Sequence, residues 1–298
     1  MPRLEIHHRT VYRYTAPVKF GLHRLVLRPR EGHRTTVRNH RLTLTPSAHL
    51  TWMTDIFGNH IALAAIDGEA EELIVDNSID LDILDEIPDP GAVKNGPLSA
   101  VTLPSTWLQY EAGVAAAYAV SSYPDETDIV REWTLSQIKA GDRPARDVMK
   151  ELNGLIHRTI RYRRREESGV QTPASTLTLG TGSCRDMATL ALEAARTLGL
   201  AARFVSGYVE SSISAAGLGS THAWVEVYLP DCGWRAFDPT SGKAADVRHI
   251  PLGVSSHPRG VMPISGSFDN RTGRFLGMTV TLSILPRESK DPAFSSIS

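Results

Sequence analysis

Polar and apolar residues alternate along the first third of the chain. Leu4, Ile6, His8, Thr10, Tyr12 and Tyr14 occupy every second position, with a mostly charged or polar set between them. That is the period of a strand with two unlike faces. Further strands are predicted over residues 23–28, 35–45, 49–54, 60–66 and 70–84. Turn residues separate them at 29–32, at Pro46-Ser47, at Gly58-Asn59 and at Asp67-Gly68. Short strands at this spacing predict a β-rich, sandwich-like domain over residues 1–92. The alternation stops around Ile87-Pro88-Asp89-Pro90-Gly91, and residues 93–124, with Pro97 and Pro104, read as a linker and connecting turns.

From residue 125 the period lengthens to that of helices, predicted over 125–140 and 144–162. Val148, Leu152, Leu155, Ile156 and Ile160 form an apolar stripe on the second. Arg158, Arg161, Arg163, Arg164 and Arg165 crowd its end, where cations suit the helix dipole, so a solvated terminus is expected rather than an anion site. A third helix follows Gly180-Thr181-Gly182-Ser183. Met187, Leu190, Ala191, Ala194, Ala195 and Leu198 keep its spacing until Gly199, a C-cap. Strands over 201–210 and 221–229, joined by a Ser/Gly/Ala loop, lead to a turn at Asp231-Cys232-Gly233 and a returning strand through Asp238. The class is therefore α+β. The core spans residues 125–298, a cysteine-bearing helix packed on an antiparallel sheet with a C-terminal β segment.

Composition narrows the function classes. Lys and Arg number 32 and Asp and Glu 33, a balance that gives no reason to expect a nucleic acid or an anionic membrane as partner. Within the β-rich region the charge is segregated: residues 1–41 hold ten basic and two acidic residues, and residues 42–92 eleven acidic and no basic ones. Pairing of basic with acidic strands in one sheet is expected over a basic docking surface. No stretch reaches the ~20 apolar residues of a spanning helix. The N-terminus carries charge where a secretory signal would be apolar, so a cytoplasmic location is expected. Cys184 and Cys232 are too few for a disulfide framework.

Cys184 stands at the first turn of its helix, where the dipole and free N–H groups favour a thiolate. On the following strand His222, Trp224, Glu226 and Tyr228 share one face. An antiparallel return brings Asp238 beside His222. Nucleophile, base and orienter then occur in the order Cys184, His222, Asp238. The backbone N–H of Cys184 is the natural oxyanion donor, with Gln171 and Gln137 the nearest upstream glutamines that could assist. A zinc set of Cys184, His222, Cys232 and His249 lacks any short CxxC or HxxxH pair, and no phosphate-binding glycine loop or calcium loop is present. No metal or cofactor is expected.

Three ordered segments, Gly182-Ser183-Cys184-Arg185-Asp186, His222-Ala223-Trp224-Val225-Glu226-Val227 and Trp234-Arg235-Ala236-Phe237-Asp238-Pro239-Thr240, resemble the bacterial transglutaminase-like superfamily, whose core is papain-like. The resemblance places the family's Cys, His and Asp on Cys184, His222 and Asp238. Tyr12-Arg13-Tyr14, Leu25 to Arg30 and Asp55-Ile56-Phe57-Gly58-Asn59 look like its bacterial N-terminal domain, and His249-Ile250-Pro251-Leu252 and Pro263-Ile264-Ser265-Gly266 like its C-terminal segment. One departure is Ser255-Ser256-His257-Pro258, where such proteins commonly carry Gly-Arg-Asp-Tyr. If that loop borders the cleft, substrate contacts differ.

The resemblance implies thiol-dependent acyl transfer on a peptide, protein or small amide, through a Cys184 thioester, ending in hydrolysis or transamidation. The rival is a non-catalytic module whose cleft binds a peptide or partner. Neither the oligomeric state nor the acyl donor and acceptor can be read from the residues.

Overall fold

In the computed structural model, residues 3–84, 107–139, 141, 143–165, 169–210, 219–229 and 233–287 are described. Six strands come first: β1 (Arg3–Lys19), β2 (His23–Leu25), β3 (Thr35–Thr45), β4 (Ala48–Thr54), β5 (His60–Ile66) and β6 (Glu69–Ile83). Then come α1 (Ala112–Ala119), α2 (Thr127–Gln137), α3 (Ala145–Thr159), β7 (Arg161–Tyr162), α4 (Pro173–Leu179), β8 (Thr181–Gly182) and α5 (Cys184–Thr197). The chain continues through β9 (Ala202–Glu210), β10 (Gly219–Leu229), β11 (Gly233–Asp238), β12 (Lys243–Ala244), β13 (His249–Ser255), β14 (Ile264–Ser265) and β15 (Phe275–Arg287).

Two four-stranded sheets, β15-β1-β6-β3 and β14-β2-β5-β4, form the N-terminal sandwich. Their inward residues, among them Ile6, Leu25, Ala62, Leu73 and Ile79, share one buried cluster. The segregated charges resolve as cross-strand pairs. Arg9 lies opposite Asp76 and Arg13 opposite Glu72 in the β1–β6 register, and each pair is hydrogen-bonded at about 3.0 Å. Such half-exposed pairs add little stability but disfavour a one-residue slip.

Two expectations give way. Phe275–Arg287, expected with the core, pairs antiparallel along β1 from Arg3 to Tyr14 and so forms an edge strand of the N-terminal sheet. The span expected as linker contains α1, while residues 93–106 lie outside the described residues. The Ala-rich run of α1 has helix propensity but almost no apolar periodicity, so only its composition announced it.

The core sheet runs β12-β11-β10-β9-β13. On one face Phe204, Ala223, Val225 and Val227 pack against α3 and α5, and α5 is buried along nearly its whole length. From the same sheet Tyr208, Ile250 and Leu252 enter the cluster of the N-terminal sandwich instead. The core thus lies between helices and sandwich. β13 approaches β9 so closely that a Cβ on Gly207 would stand 2.3 Å from the Ile250 carbonyl oxygen.

A buried polar link crosses from sandwich to core. His8 on β1 hydrogen-bonds Tyr208 Oη on β9 at 2.8 Å through Nδ1, and Thr10 Oγ1 at 3.0 Å through Nε2. Burial lowers the His8 pKa to about 4. The unfolded chain therefore takes up this proton first, so stability is full above about pH 6.5 and falls as the pH drops toward 4. The loss amounts to about 3 kcal/mol. Denaturant midpoints measured across this window should fall with pH, and a His8→Asn variant should flatten the slope.

Candidate active site

Cys184 is the first residue of α5, and its position is built by the loop ahead of it. Ser183 is the N-cap, joined to Asp186 in a capping box. The Asp186 carboxylate is fully buried and accepts five hydrogen bonds. They come from Ser183 N–H (2.8 Å), Ser183 Oγ–H (2.9 Å), Gln171 N–H (2.7 Å) and, twice, from Arg165 Nη1 (2.9 and 3.0 Å). Arg165, expected on a solvated helix terminus, is instead the counter-ion of this buried acid. The helix ends at Thr159, and the parallel pair β7–β8 sets Arg161 beside Thr181 and Tyr162 beside Gly182.

His222 lies on β10 and Asp238 ends β11. The β10–β11 register pairs Val225 with Phe237, so the next step along β11 carries Asp238 toward His222. His222 Nε2–H meets Asp238 Oδ2 at 3.1 Å. The same ring is hydrogen-bonded to Cys184, which leaves Nδ1 as the nitrogen on the sulfur side. The structure therefore brings Cys184, His222 and Asp238 into one line. Cys184 is only partly buried, whereas the side chains of His222 and Asp238 are 10% and 5% exposed.

Burial alone would lower the His222 pKa. Hydrogen bonds to Asp238 and Cys184, together with their charges, outweigh it and raise the value to about 10. This contribution to stability is present below the ordinary imidazole range and is lost as the pH rises through about 10. Burial opposes ionisation of Asp238, yet hydrogen bonds from His222 and His249 hold its pKa far below the usual carboxylate range. Thr240 N–H donates to the other carboxylate oxygen at 2.9 Å. Asn153 on α3 donates to the Asp238 carbonyl at 3.2 Å and so fixes the strand end.

Other sequence candidates are placed elsewhere. Gln171 donates its side-chain amide to the Thr181 carbonyl at 3.0 Å, bracing β8, and Gln137 is exposed at the end of α2 beside Ser136. Cys232, named in the zinc set, lies outside the described residues. His222, Asp238 and His249 have ligand atoms within 4.8 Å of one another, the only such cluster among the described residues. Their facing atoms are already engaged by hydrogen bonds to Asp238.

The departure loop is anchored at the far end of α5. The Ser256 carbonyl accepts from Arg196 Nη2 at 2.8 Å and from Ser122 Oγ at 2.7 Å, and His257 stacks on Tyr123. Arg196 sits at the far end of α5, roughly 18 Å from Cys184 along the helix. Sequence reasoning missed Asp186, although the spacing Ser-x-x-Asp at a helix start is a capping signal.

Known proteins resemble both parts of the chain. Residues 4–81 match the model of the bacterial transglutaminase-like N-terminal region, and residues 132–239 that of the transglutaminase-like superfamily. Uncharacterized protein Rv2569c of Mycobacterium tuberculosis is 28% identical over 275 residues, covering 89% of this chain and 87% of its own. Uncharacterized protein ML0607 of Mycobacterium leprae is 24% identical over 299 residues, covering 96% of this chain and all of its own. A solved structure described as a proposed cysteine protease from Cytophaga hutchinsonii shares the fold, with a TM-score of 0.73 at 15% identity over 99% of this chain and 94% of that one. With a bacterial transglutaminase-like N-terminal region ahead of its core, this chain belongs to the transglutaminase-like superfamily.

Proposed function

We propose that the protein is a thiol-dependent acyl-transfer enzyme acting on peptide or carboxamide bonds. The observation that carries this reading is the unbroken hydrogen-bonded line from Asp238 through His222 to a partly exposed cysteine at a helix start. Its resting form is a thiolate on Cys184 and an imidazolium on His222, the latter held by Asp238.

The thiolate attacks the carbonyl carbon. A C–S bond forms while the carbonyl π pair moves to oxygen, where the Cys184 N–H, free of an intrahelical partner at the helix start, can receive the charge. As the carbonyl re-forms, the C–N bond breaks and the departing nitrogen takes the proton from His222. The product is an amine, or ammonia from a primary amide, and a thioester on Cys184. Water or an amine then adds to the thioester and returns its proton to His222. The C–S bond breaks and the thiolate is restored. Both acceptors use the same acyl-enzyme, and exclusion of water from the cleft decides between them.

The test needs no natural substrate. Iodoacetamide at about pH 6, well below the ordinary thiol range, should alkylate Cys184 stoichiometrically and far faster than Cys232, read by site-resolved mass spectrometry. Incubation with candidate amides should then add an acyl mass to Cys184. Equal, slow alkylation of both thiols overturns the proposal.

A further inference from the structure

Asp238 Oδ2 takes two histidines. His222 Nε2 approaches it at 3.1 Å and His249 Nε2 at 3.4 Å. His249 opens β13, is 6% exposed, and lies edge-on to Trp224 with ring centres 5.2 Å apart. Its other nitrogen, Nδ1, is 3.1 Å from both the backbone N–H and the Oδ1 of Asp246. This arrangement fixes the ring's role. Neutral His249 accepts the Asp246 N–H at Nδ1 and carries its proton on Nε2. Protonated His249 donates from Nδ1 to Asp246 Oδ1 and keeps the proton on Nε2. In both states an N–H points at Asp238. The charged groups around it are Asp238, Asp246, His222 and Arg248, the last paired with Asp246.

We infer that His249 is a positioning residue for the Cys184–His222 couple, acting through Asp238. Resting on the acyl-transfer reading above, this adds a fourth member that touches neither substrate nor sulfur. With Thr240 N–H on Oδ1 and His222 and His249 on Oδ2, the carboxylate is held at three points and cannot turn about its last torsion. Its plane sets the His222 ring, and the ring sets which proton faces Cys184. Without the His249 donor the buried anion is left with one fewer partner, and Oδ2 is held by His222 alone. The imidazolium then weakens, and with it the thiolate at neutral and lower pH.

Two variants separate the donor from the ring. His249→Phe keeps the shape beside Trp224 and removes the N–H; His249→Gln keeps an amide N–H near the Nε2 position and removes the ring. The readout is the rate of Cys184 alkylation by iodoacetamide at about pH 6 and about pH 10, resolved by mass spectrometry. At the higher pH a cysteine ionises without help from histidine. His249→Phe should alkylate about tenfold more slowly than the native protein at pH 6 and equally fast at pH 10. His249→Gln should stay within about threefold at both. A His249→Phe rate equal to native at pH 6 overturns the inference. So does an equal fall of both variants at both pH values, which marks lost packing. A native protein whose Cys184 is itself slow at pH 6 overturns the acyl-transfer reading, and this inference with it; a fast native rate that His249→Phe preserves overturns this inference alone.

Discussion

Cys184→Ala is expected to lower amide turnover by on the order of 10⁵–10⁶-fold, the cost of removing the nucleophile from a set of groups that act as a unit. Circular dichroism should change little, because the thiol is only partly buried and alanine suits the first turn of a helix. The same variant should report on His222. Two of the four influences that raise its pKa are the hydrogen bond and the charge of Cys184; the other two come from Asp238. With sulfur gone, burial faces Asp238 alone, and the His222 pKa should drop below about 10. An NMR titration of the His222 ring in native and variant protein measures that drop. Turnover within tenfold of native would refute the assignment of Cys184 as nucleophile. An unchanged His222 titration would refute the thiolate–imidazolium pairing.

Asp186→Ala is expected to destabilise the protein by about 3–5 kcal/mol, since it leaves a buried cation and several donors without their partner. Five hydrogen bonds end on this carboxylate, from the N-cap, from Gln171 and from Arg165, whose side chain is itself only 15% exposed. Urea denaturation should show the loss as a lower midpoint with little change in slope. Asp186→Asn should fall between native and alanine, because one amide oxygen can keep the cap while the charge on Arg165 goes unanswered. The change should reach Cys184 as well. Fraying of the first turn moves the sulfur away from His222, so alkylation at about pH 6 should slow even in protein that remains folded. A loss below about 1 kcal/mol would show that the loop repacks around Arg165.

The placement of Cys184, His222 and Asp238 was legible in the residues because strand and helix periods are local. The two-residue alternation through His222 and Trp224 and the turn before Gly233 place Asp238 beside His222 without reference to distant contacts. The break at Gly180 to Ser183, followed by helical spacing, likewise puts Cys184 at a helix start. Features that depend on distant segments were not legible. Arg165 could not be matched with Asp186, because a run of arginines looks solvated until β7 and β8 bring the two segments together. His249 could not be matched with Asp238 until β13 paired with β9, which sets it beside that carboxylate. Whether the Ser255 to Pro258 loop borders the cleft could not be read from the residues either. β13 carries the chain from His249 away to the opposite end of α5.

The pairing of β15 along β1 sets the order in which the molecule can be completed during synthesis. β6 is available to β1 once residue 83 has emerged, but the other edge of β1 stays open until residues 275–287 are made. For most of translation the nascent sandwich therefore presents a long unpaired strand edge, open to wrong partners. The transglutaminase-like core emerges in that interval, so its strands and β15 reach the sandwich in succession. Protease cleavage between sandwich and core should not release two pieces readily, because the last strand of one stays paired along the edge of the other's sheet.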